Sequence, residues 1–571
     1  MNSPRPEQLL TKRCPLCAST TTTPFLRRSG VPVLTNLLIA SQEAARQVQR
    51  GDIVLLVCHT CGFVFNGAFG TSTLYNEHYE NSQAHAPAFE SYLDELVRSL
   101  VIEQQVRQCR ILEVGCGDGT FLRKLVGADT GNTGYGFDPA YRGPARDLDG
   151  RLRFAARYYD EACIGDTAEI DVLICRHVIE HVPNPLPFLR MLRRTVEHSP
   201  HARAFFETPT IEWILRNTVI WDIYYEHCSY FSAETITLAL ELAGFHVQRI
   251  QRTFGDQYLW VETTLHDREH PPSITFSPGS IPVLASQFQR REHRFCEQWR
   301  GMLQALLQNG PVALLGAAGK GVTLANLVDP DAQLISCVVD LNPKKQGKFL
   351  PGTGHPIVSY EAMNAHGITT AVLLNPNYYH DALRLLEHHH LPVQLLVDTI
   401  TPLAVSDMMA HQSAALELLT AKVEQARLAG KTIVFTNGVF DLLHSGHVQL
   451  LRYAKTLGEM LIVAVDSDAS ARRLKGPGRP IHNERDRLML VAALDMVDAT
   501  LLFEGETLPE LLRTLRPHIY VKGGDYRGQP SPAAEALQAI GAQSVIAPLF
   551  SDTLNTSQIV ERILALASDK Q

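Results

Sequence analysis

The sequence predicts a multidomain α/β protein, with a small cysteine module at the N-terminus followed by three Rossmann-like parallel sheets. Three observations predict it. Two Cys-x-x-Cys pairs, Cys14/Cys17 and Cys58/Cys61, stand near the start. Beyond them, apolar strand-like runs alternate with amphipathic helical runs. At two places, Glu113–Gly119 and Thr436–His447, a strand leads through a glycine-containing turn into a helix.

At roughly 150 residues per domain, 571 residues give about three to four domains. Five segments follow from the pattern: 1–80 with the cysteines, α/β units at 81–270 and 271–405, a charged linker helix at 406–430, and an α/β unit at 431–571. The Pro271-Pro272-Ser273 stretch marks the first α/β boundary. With 45% hydrophobic and 20% charged residues, global disorder is excluded. A net charge of −8 disfavours nucleic acid as a partner, because covering phosphates needs a basic surplus. No window reaches the roughly 18 apolar residues of a membrane span, and Met1–Arg13 lacks an apolar signal core. A cytoplasmic protein without a membrane partner is the expectation.

The cysteine pairs suit one tetrahedral ion. Each pair forms a knuckle, and a metal closes the loop between them. Four thiolates fill every position, so Cys14, Cys17, Cys58 and Cys61 predict a structural Zn²⁺ rather than a catalytic one.

In the first α/β unit, Arg110-Ile-Leu-Glu113-Val-Gly115-Cys-Gly117-Asp-Gly119 is a strand entering a glycine-rich turn. Glycines let backbone approach a ligand, and the following helix N-terminus favours polar or anionic groups. A second strand ends in Asp138, whose carboxylate can accept both ribose hydroxyls of a nucleoside. A third runs Asp171-Val-Leu-Ile-Cys-Arg-His177-Val-Ile-Glu180-His181-Val-Pro183. A nicotinamide site shares the glycines. Downstream, the Tyr224-Tyr225-Glu226-His227 cluster can supply a general base with an orienting partner, before a helix starting at Ser232.

Glu-Val-Gly-Cys-Gly-Asp-Gly resembles motif I of class I S-adenosylmethionine-dependent methyltransferases, and Val-Ile-Glu-His-Val-Pro is similar to their fourth motif. Tyr224-Tyr225-Glu226-His227-Cys-Ser-Tyr230-Phe231-Ser232 resembles a motif of zinc-containing sugar C-methyltransferases, which act on nucleotide-linked 4-keto deoxysugars. The chain departs at Tyr225, where that family often has His. The Tyr-rich Leu74-Tyr75-Asn-Glu-His-Tyr79 segment and the runs Leu315–Thr323, Val339–Gly347 and Asn375–Tyr378 are similar to the same family. The likeness spans residues 1 to about 405. It implies S-adenosyl-L-methionine held by Tyr79, Glu113, Gly115, Gly117, Gly119, Asp138 and His177. It also implies C-alkylation with His227 as base, and Tyr224, Glu226 and His181 positioning the sugar or stabilising the enolate.

In the last unit, Thr436-Asn437-Gly438-Val-Phe440-Asp441-Leu-Leu-His444-Ser-Gly446-His447 follows a strand over Thr432–Phe435. Two histidines three apart can both face one phosphate, and a helix beginning near His447 adds amides and the positive dipole end. Nucleotidyl transfer needs chiefly positioning and charge neutralisation at the α-phosphate. Lys475-Gly-Pro-Gly-Arg479-Pro480, Arg485-Asp-Arg487, Val521-Lys522-Gly523-Gly524-Asp525-Tyr526 and Asn555-Thr556-Ser557 follow. This series resembles the adenylyltransferase domain of heptose-1-phosphate enzymes and, more distantly, glycerol-3-phosphate cytidylyltransferase. The resemblance implies that His444 and His447 stabilise the transferring phosphoryl group and Lys475 neutralises phosphate. Asn437, Phe440, Arg487, Lys522, Gly524, Asp525, Thr556 and Ser557 would bind nucleotide. ATP and CTP both remain open, and Mg²⁺ is expected.

Together these readings predict a bifunctional enzyme acting on nucleotide-sugar and sugar-phosphate substrates. A separate sugar dehydratase or dehydrogenase must create the ketone, and the reading admits a homo-oligomer. Two other readings stand beside it: an active nucleotidyltransferase with a methyltransferase-like binding scaffold, and a nucleic-acid methyltransferase with a zinc reader.

Overall fold

The computed structural model describes residues 12–70, 79–80, 86–167, 169–199, 201–265, 276–397, 416, 419–420, 423–424, 426–476, 478–492, 494, 496–523 and 533–548. The chain divides into two compact units, Met1–Thr401 and Pro402–Gln571.

The first unit opens with antiparallel strands Thr22–Pro32, Arg50–Cys58 and Val64–Asn66. A fourth strand, Ser229–Tyr230, is added from far along the chain and pairs with Val64 and Phe65. The Tyr/Glu/His motif is therefore stitched directly to the cysteine module.

The second sheet has eight strands, in the order Phe245–Thr253, Tyr258–Leu265, Arg203–Pro209, Val172–Arg176, Arg110–Val114, Thr133–Phe137, Leu152–Ala155 and Arg146–Asp147. The five strands from Arg203–Pro209 to Leu152–Ala155 are mutually parallel, and the flanking strands are antiparallel. Their near-continuous apolar runs are those of a sheet covered on both faces. Helix Ala233–Ala243 starts on Ser232, as expected. The Ser232 side chain accepts from the Thr235 amide, Thr235 answers with its own side chain, and Gly244 closes the helix at φ +95°.

The third sheet is wholly parallel, in the order Ile357–Val358, Cys337–Val339, Val312–Leu315, Thr370–Leu373 and Gln394–Val397. The long helix Ile281–Leu307 buries a stripe of Leu284, Phe288, Phe295, Trp299 and Leu303 at helical spacing. That stripe joins one continuous core with Phe25 and Ile53 of the cysteine module, Trp221, and Leu314 and Val338 of the third sheet. Arg28 ties the same parts together. Its guanidinium donates to the carbonyls of Ile220 (2.8 Å) and Ile223 (2.6 Å) and pairs with Glu292 (2.8 Å).

The second unit holds a five-stranded parallel sheet in the order Ala499–Phe503, Met460–Asp466, Ile433–Gly438, Ile519–Lys522 and Gln543–Ile546. Strand order reverses at Ile433–Gly438, so the crevice for a ligand lies beyond its carboxyl end. Leu419 and Val423, from the expected linker segment, are buried in this unit's core.

Candidate active sites

Cys14, Cys58 and Cys61 are buried, and the sulfurs of all four cysteines lie within 4.8 Å of one another. Cys14 and Cys61 approach to 3.7 Å, and Cys17 and Cys58 to 3.5 Å. Four thiolates at Zn–S distances of about 2.3 Å have tetrahedral edges of about 3.8 Å, so the donor set fits zinc.

At the methyltransferase-like turn, Gly115, Gly117 and Gly119 all take positive φ. A Cβ on Gly115 would strike Val178 at 2.1 Å, and one on Gly119 would meet Phe154 at 2.6 Å, so only glycine fits this cradle. Asp138 at the neighbouring strand end is fixed by the amides of Gly117 (2.9 Å) and Ala140 (2.7 Å). Burial raises Glu113 to about 8, and its Oε2 has no protein partner. A carboxyl oxygen left without a protein partner beside a glycine cradle fits a polar nucleoside cofactor. His177 is held at φ +53°, 3.2 Å from Glu207 and 3.4 Å from Glu180. Burial pushes its imidazole down, but the Glu207 and Glu180 carboxylates outweigh this and lift it to about 9.

A cavity of about 320 Å³ lies between the second and third sheets of the first unit, and Tyr79, His177, His181, Tyr224, His227 and Lys345 are among its walls. Here the structure brings together residues the sequence only suggested. The Tyr224 and His227 rings lie 4.1 Å apart, and His181 and His227 lie 4.9 Å apart. His227 is buried, and burial, reinforced by His181, holds it neutral, well below the usual imidazole range. A neutral ring can accept a proton. Burial raises the Tyr224 phenol, so it keeps its proton and can donate. His181 Nδ1 and the Glu226 carbonyl are 3.0 Å apart, which orients that ring. Gly319, at the start of helix Gly319–Val328, packs so closely that a Cβ would stand 3.0 Å from Tyr224.

Glu226 is held by Tyr79, which the resemblance assigned to the cofactor, and by Thr35, which the sequence did not flag. Its carboxylate accepts from the Thr35 amide at 2.8 Å, the Thr35 hydroxyl, and Tyr79 at 2.6 Å. Lys345 donates to Asn36 and to the Ala317 carbonyl, each at 3.0 Å. Thr35 and Asn36 carry no motif of their own, whereas Lys345 lies in the Val339–Gly347 run. Tyr225, where the resemblance breaks, packs on Phe69 with ring centroids 5.3 Å apart and accepts from the Gly70 amide at 2.9 Å. It serves the cysteine module.

In the second unit the helix covers Ser445–Thr456, starting earlier than His447 because His444 caps it. His444 Nδ1 accepts from the Gly446 amide at 3.2 Å, and His447 Nδ1 accepts from the His444 amide at 3.4 Å. With both Nδ1 atoms accepting, each neutral ring carries its proton on Nε2. The two rings stack at 3.9 Å, presenting paired donors suited to a phosphoryl group. Burial lowers His444, and lowers His447 to about 4, with His444 and Lys475 adding to the latter. Phe440 is buried at φ +52° with its ring 5.4 Å from His447. Asn437 accepts from Tyr520 at 2.8 Å, and the Lys522 ammonium lies 5.8 Å from the same Tyr520 ring. Arg487 is fully buried and spends its donors within the protein, on the carbonyls of His482 (3.0 Å) and Val439 (2.6 Å) and on Asp468 (2.8 Å). Gly524, Asp525, Thr556 and Ser557 lie outside the described residues.

Among the described residues, no helix is long and apolar enough to cross a membrane. Residues 83–250 match the model of a methyltransferase domain, 283–390 that of a C-methyltransferase C-terminal domain, and 435–551 a cytidylyltransferase-like model. The chain is 44% identical over 148 residues to the bifunctional protein HldE of Pelobacter propionicus, covering 26% of this chain and 30% of that protein. It is 45% identical over 148 residues to HldE of Syntrophotalea carbinolica, again 26% of this chain and 30% of the relative. The match falls on the nucleotidyltransferase region, so the chain spans under a third of these relatives' length. Among solved structures, it resembles a lipopolysaccharide core biosynthesis protein from Thermoplasma volcanium (31% identity, TM-score 0.19, 21% of this chain and all of that one). It also resembles 1,6-didemethyltoxoflavin-N1-methyltransferase from Burkholderia thailandensis (15% identity, TM-score 0.25, 36% of this chain and 96% of that one). The chain is thus a two-part transferase that unites a methyltransferase domain, a C-methyltransferase C-terminal domain and a cytidylyltransferase-like nucleotidyltransferase domain.

Proposed function

We propose that the first unit C-methylates a nucleotide-linked keto-sugar and that the second transfers a nucleotidyl group from ATP or CTP to a sugar phosphate, releasing pyrophosphate. The observation that carries the first half is the buried His227, neutral and without a partner on Nδ1, between Tyr224 and His181 on the cavity wall. His227 removes the acidic proton beside the ketone, and the Tyr224 phenol donates to the developing enolate oxygen. Glu226, locked by Thr35 and Tyr79, orients the sugar. S-adenosylmethionine, bound at the Gly115–Gly119 cradle, supplies an electrophilic methyl for the enolate carbon. His177, Asp138 and Glu113 surround that position.

In the second unit the paired Nε2 donors of His444 and His447 stabilise the α-phosphoryl group, with Lys475 and Lys522 adding positive charge. Arg487 acts by fixing the loop after Gly438 to residues 482–487. Mg²⁺ would accompany the triphosphate. Zinc in the four-thiolate cluster holds the cysteine module that braces Glu226. The ketone must come from a separate dehydratase or dehydrogenase, and the setting is cytoplasmic.

The test pairs nucleoside triphosphates with a panel of sugar 1-phosphates and follows pyrophosphate, then offers nucleotide-linked 4-keto deoxysugars with S-adenosylmethionine and follows methyl transfer by mass. One productive pair in each assay is expected. Pyrophosphate release without methylation of any keto-sugar would leave the first unit as a binding scaffold.

A further inference from the structure

Apart from the four cysteines, Glu180, His181 and His227 each offer a ligand atom, and these three atoms lie within 4.8 Å of one another. All three residues line the cavity of the first unit. Glu180 is 2% exposed and His227 5%. Glu180 Oε1 and His227 Nδ1 make no hydrogen bond, although His177 Nδ1 stands 3.4 Å from that Glu180 oxygen. Native structures rarely leave buried polar atoms unpaired, and each such atom calls for an explanation.

The backbone holds the donors together. Glu180 and His181 sit on the short turn Ile179–His181. The Cys228 amide donates to the Glu180 carbonyl at 2.9 Å, and the Ser229 hydroxyl to the Val182 carbonyl at 2.7 Å. The segment bearing His227 is thereby laced to that turn. The outer contacts are those of metal ligands, whose far atoms are themselves hydrogen-bonded. His181 Nδ1 lies 3.0 Å from the Glu226 carbonyl. A carbonyl only accepts, so Nδ1 carries the proton and Nε2 the lone pair. The other Glu180 oxygen accepts from the Thr208 hydroxyl at 3.1 Å. Metal–nitrogen bonds of about 2.0–2.1 Å give tetrahedral edges of about 3.4 Å. Side-chain rotations that draw the donors in from 4.8 Å complete the set.

We infer that Glu180, His181 and His227 form a second metal site, suited to a borderline divalent ion such as Zn²⁺ or Co²⁺, and that an ion bound there switches methyl transfer off. Two imidazoles and one carboxylate select such ions over Mg²⁺ or Ca²⁺. Coordination uses the one lone pair of the neutral His227 ring, whose proton then sits on the other nitrogen. Neither nitrogen can accept a proton from the substrate. The switching half rests on the reading of His227 as the base, and the metal site does not.

Calorimetry on the full chain, with its thiolate cluster filled and loosely held ions dialysed away, follows Zn²⁺ binding. Methyl transfer is measured in parallel at free Zn²⁺ levels set by a chelator. A further ion per chain is expected. Its occupancy should lower methyl transfer by about 100-fold or more, the worth of a positioned base. Loss of an outer partner costs about 10- to 100-fold in metal affinity. Thr208→Val should therefore weaken the added ion by that factor and Glu180→Gln by at least as much, each variant's inhibition being judged against its own zinc-free rate. No added ion, or one that both variants hold as tightly as the wild type, overturns the metal site and leaves the base reading standing. An added ion that both variants weaken, but that leaves methyl transfer at its zinc-free rate, overturns the switch and His227 as base with it.

Discussion

Glu226 and Thr35, 191 residues apart in sequence, are joined by a 2.8 Å hydrogen bond from the Thr35 amide to the Glu226 carboxylate, and the Thr35 hydroxyl donates to the same oxygen. The first unit's candidate base therefore stands next to a carboxylate whose orientation is set by the cysteine module. Glu226→Gln replaces an acceptor-only group with one that must turn an amide towards these donors. Methyl-transfer kcat should fall by about 100-fold, at the low end of the range for positioned acid–base groups. Calorimetric binding of S-adenosylhomocysteine should be unchanged.

His227→Ala should abolish methylation while the cofactor still binds. Because burial holds the His227 ring neutral well below its usual range, the wild-type methylation rate should not decline between pH 8 and 6.5 from protonation of this group. An acid limb with a midpoint near 6.5 would remove His227 as the base.

His447→Ala should stop pyrophosphate release and leave methyl transfer intact. Loss of positioned donors at a transferring group typically costs about 10²–10³ in rate. His444→Ala also removes the cap of helix Ser445–Thr456, so a drop of about 1 kcal/mol in stability should accompany the rate loss. Denaturation curves and the pyrophosphate assay separate the two effects.

His177 links stability to pH. Its imidazole is lifted from 6.5 to about 9 in the folded protein. The stabilisation is fully present below pH 6.5 and is lost as pH rises through about 9. Urea denaturation at pH 7 and pH 9.5 should show a loss for the wild type that His177→Asn lacks. Identical pH slopes for the two proteins would contradict the ion-pair assignment.

Much of this was legible in the sequence wherever a local rule demanded particular residues. The glycines at Gly115 and Gly119 are required by steric contact, the Ser232 cap by unsatisfied amides, and the cysteine spacing by a tetrahedron of sulfurs. Thr35 and Asn36 were not legible. Their roles come from tertiary contacts across more than 150 residues, and nothing in their own neighbourhoods marks them. Arg487 shows the opposite limit. The motif implies a nucleotide-binding residue, and the structure adds contacts of its guanidinium with Val439, His482 and Asp468 that no local pattern announces. Sequence pattern records that a charge is needed, but not which way it faces.

The zinc assignment gives a further expectation. Metal analysis should find about one ion per chain, and Cys58→Ser should lower both metal content and methyl transfer while pyrophosphate release persists. Full metal-free methylation would detach the thiolate cluster from the cavity.

The core that runs from Phe25 through Trp221 and Trp299 to Leu314 makes the first 401 residues one cooperative block. Cutting the chain after the eight-stranded sheet would remove helix Ile281–Leu307, strip the cover from Trp221 and Phe25 and leave an oily scar. Anyone wishing to harvest the methylating part as a minimal catalyst must take all of it, whereas the nucleotidyl part, with a core of its own, is the piece that can be shed.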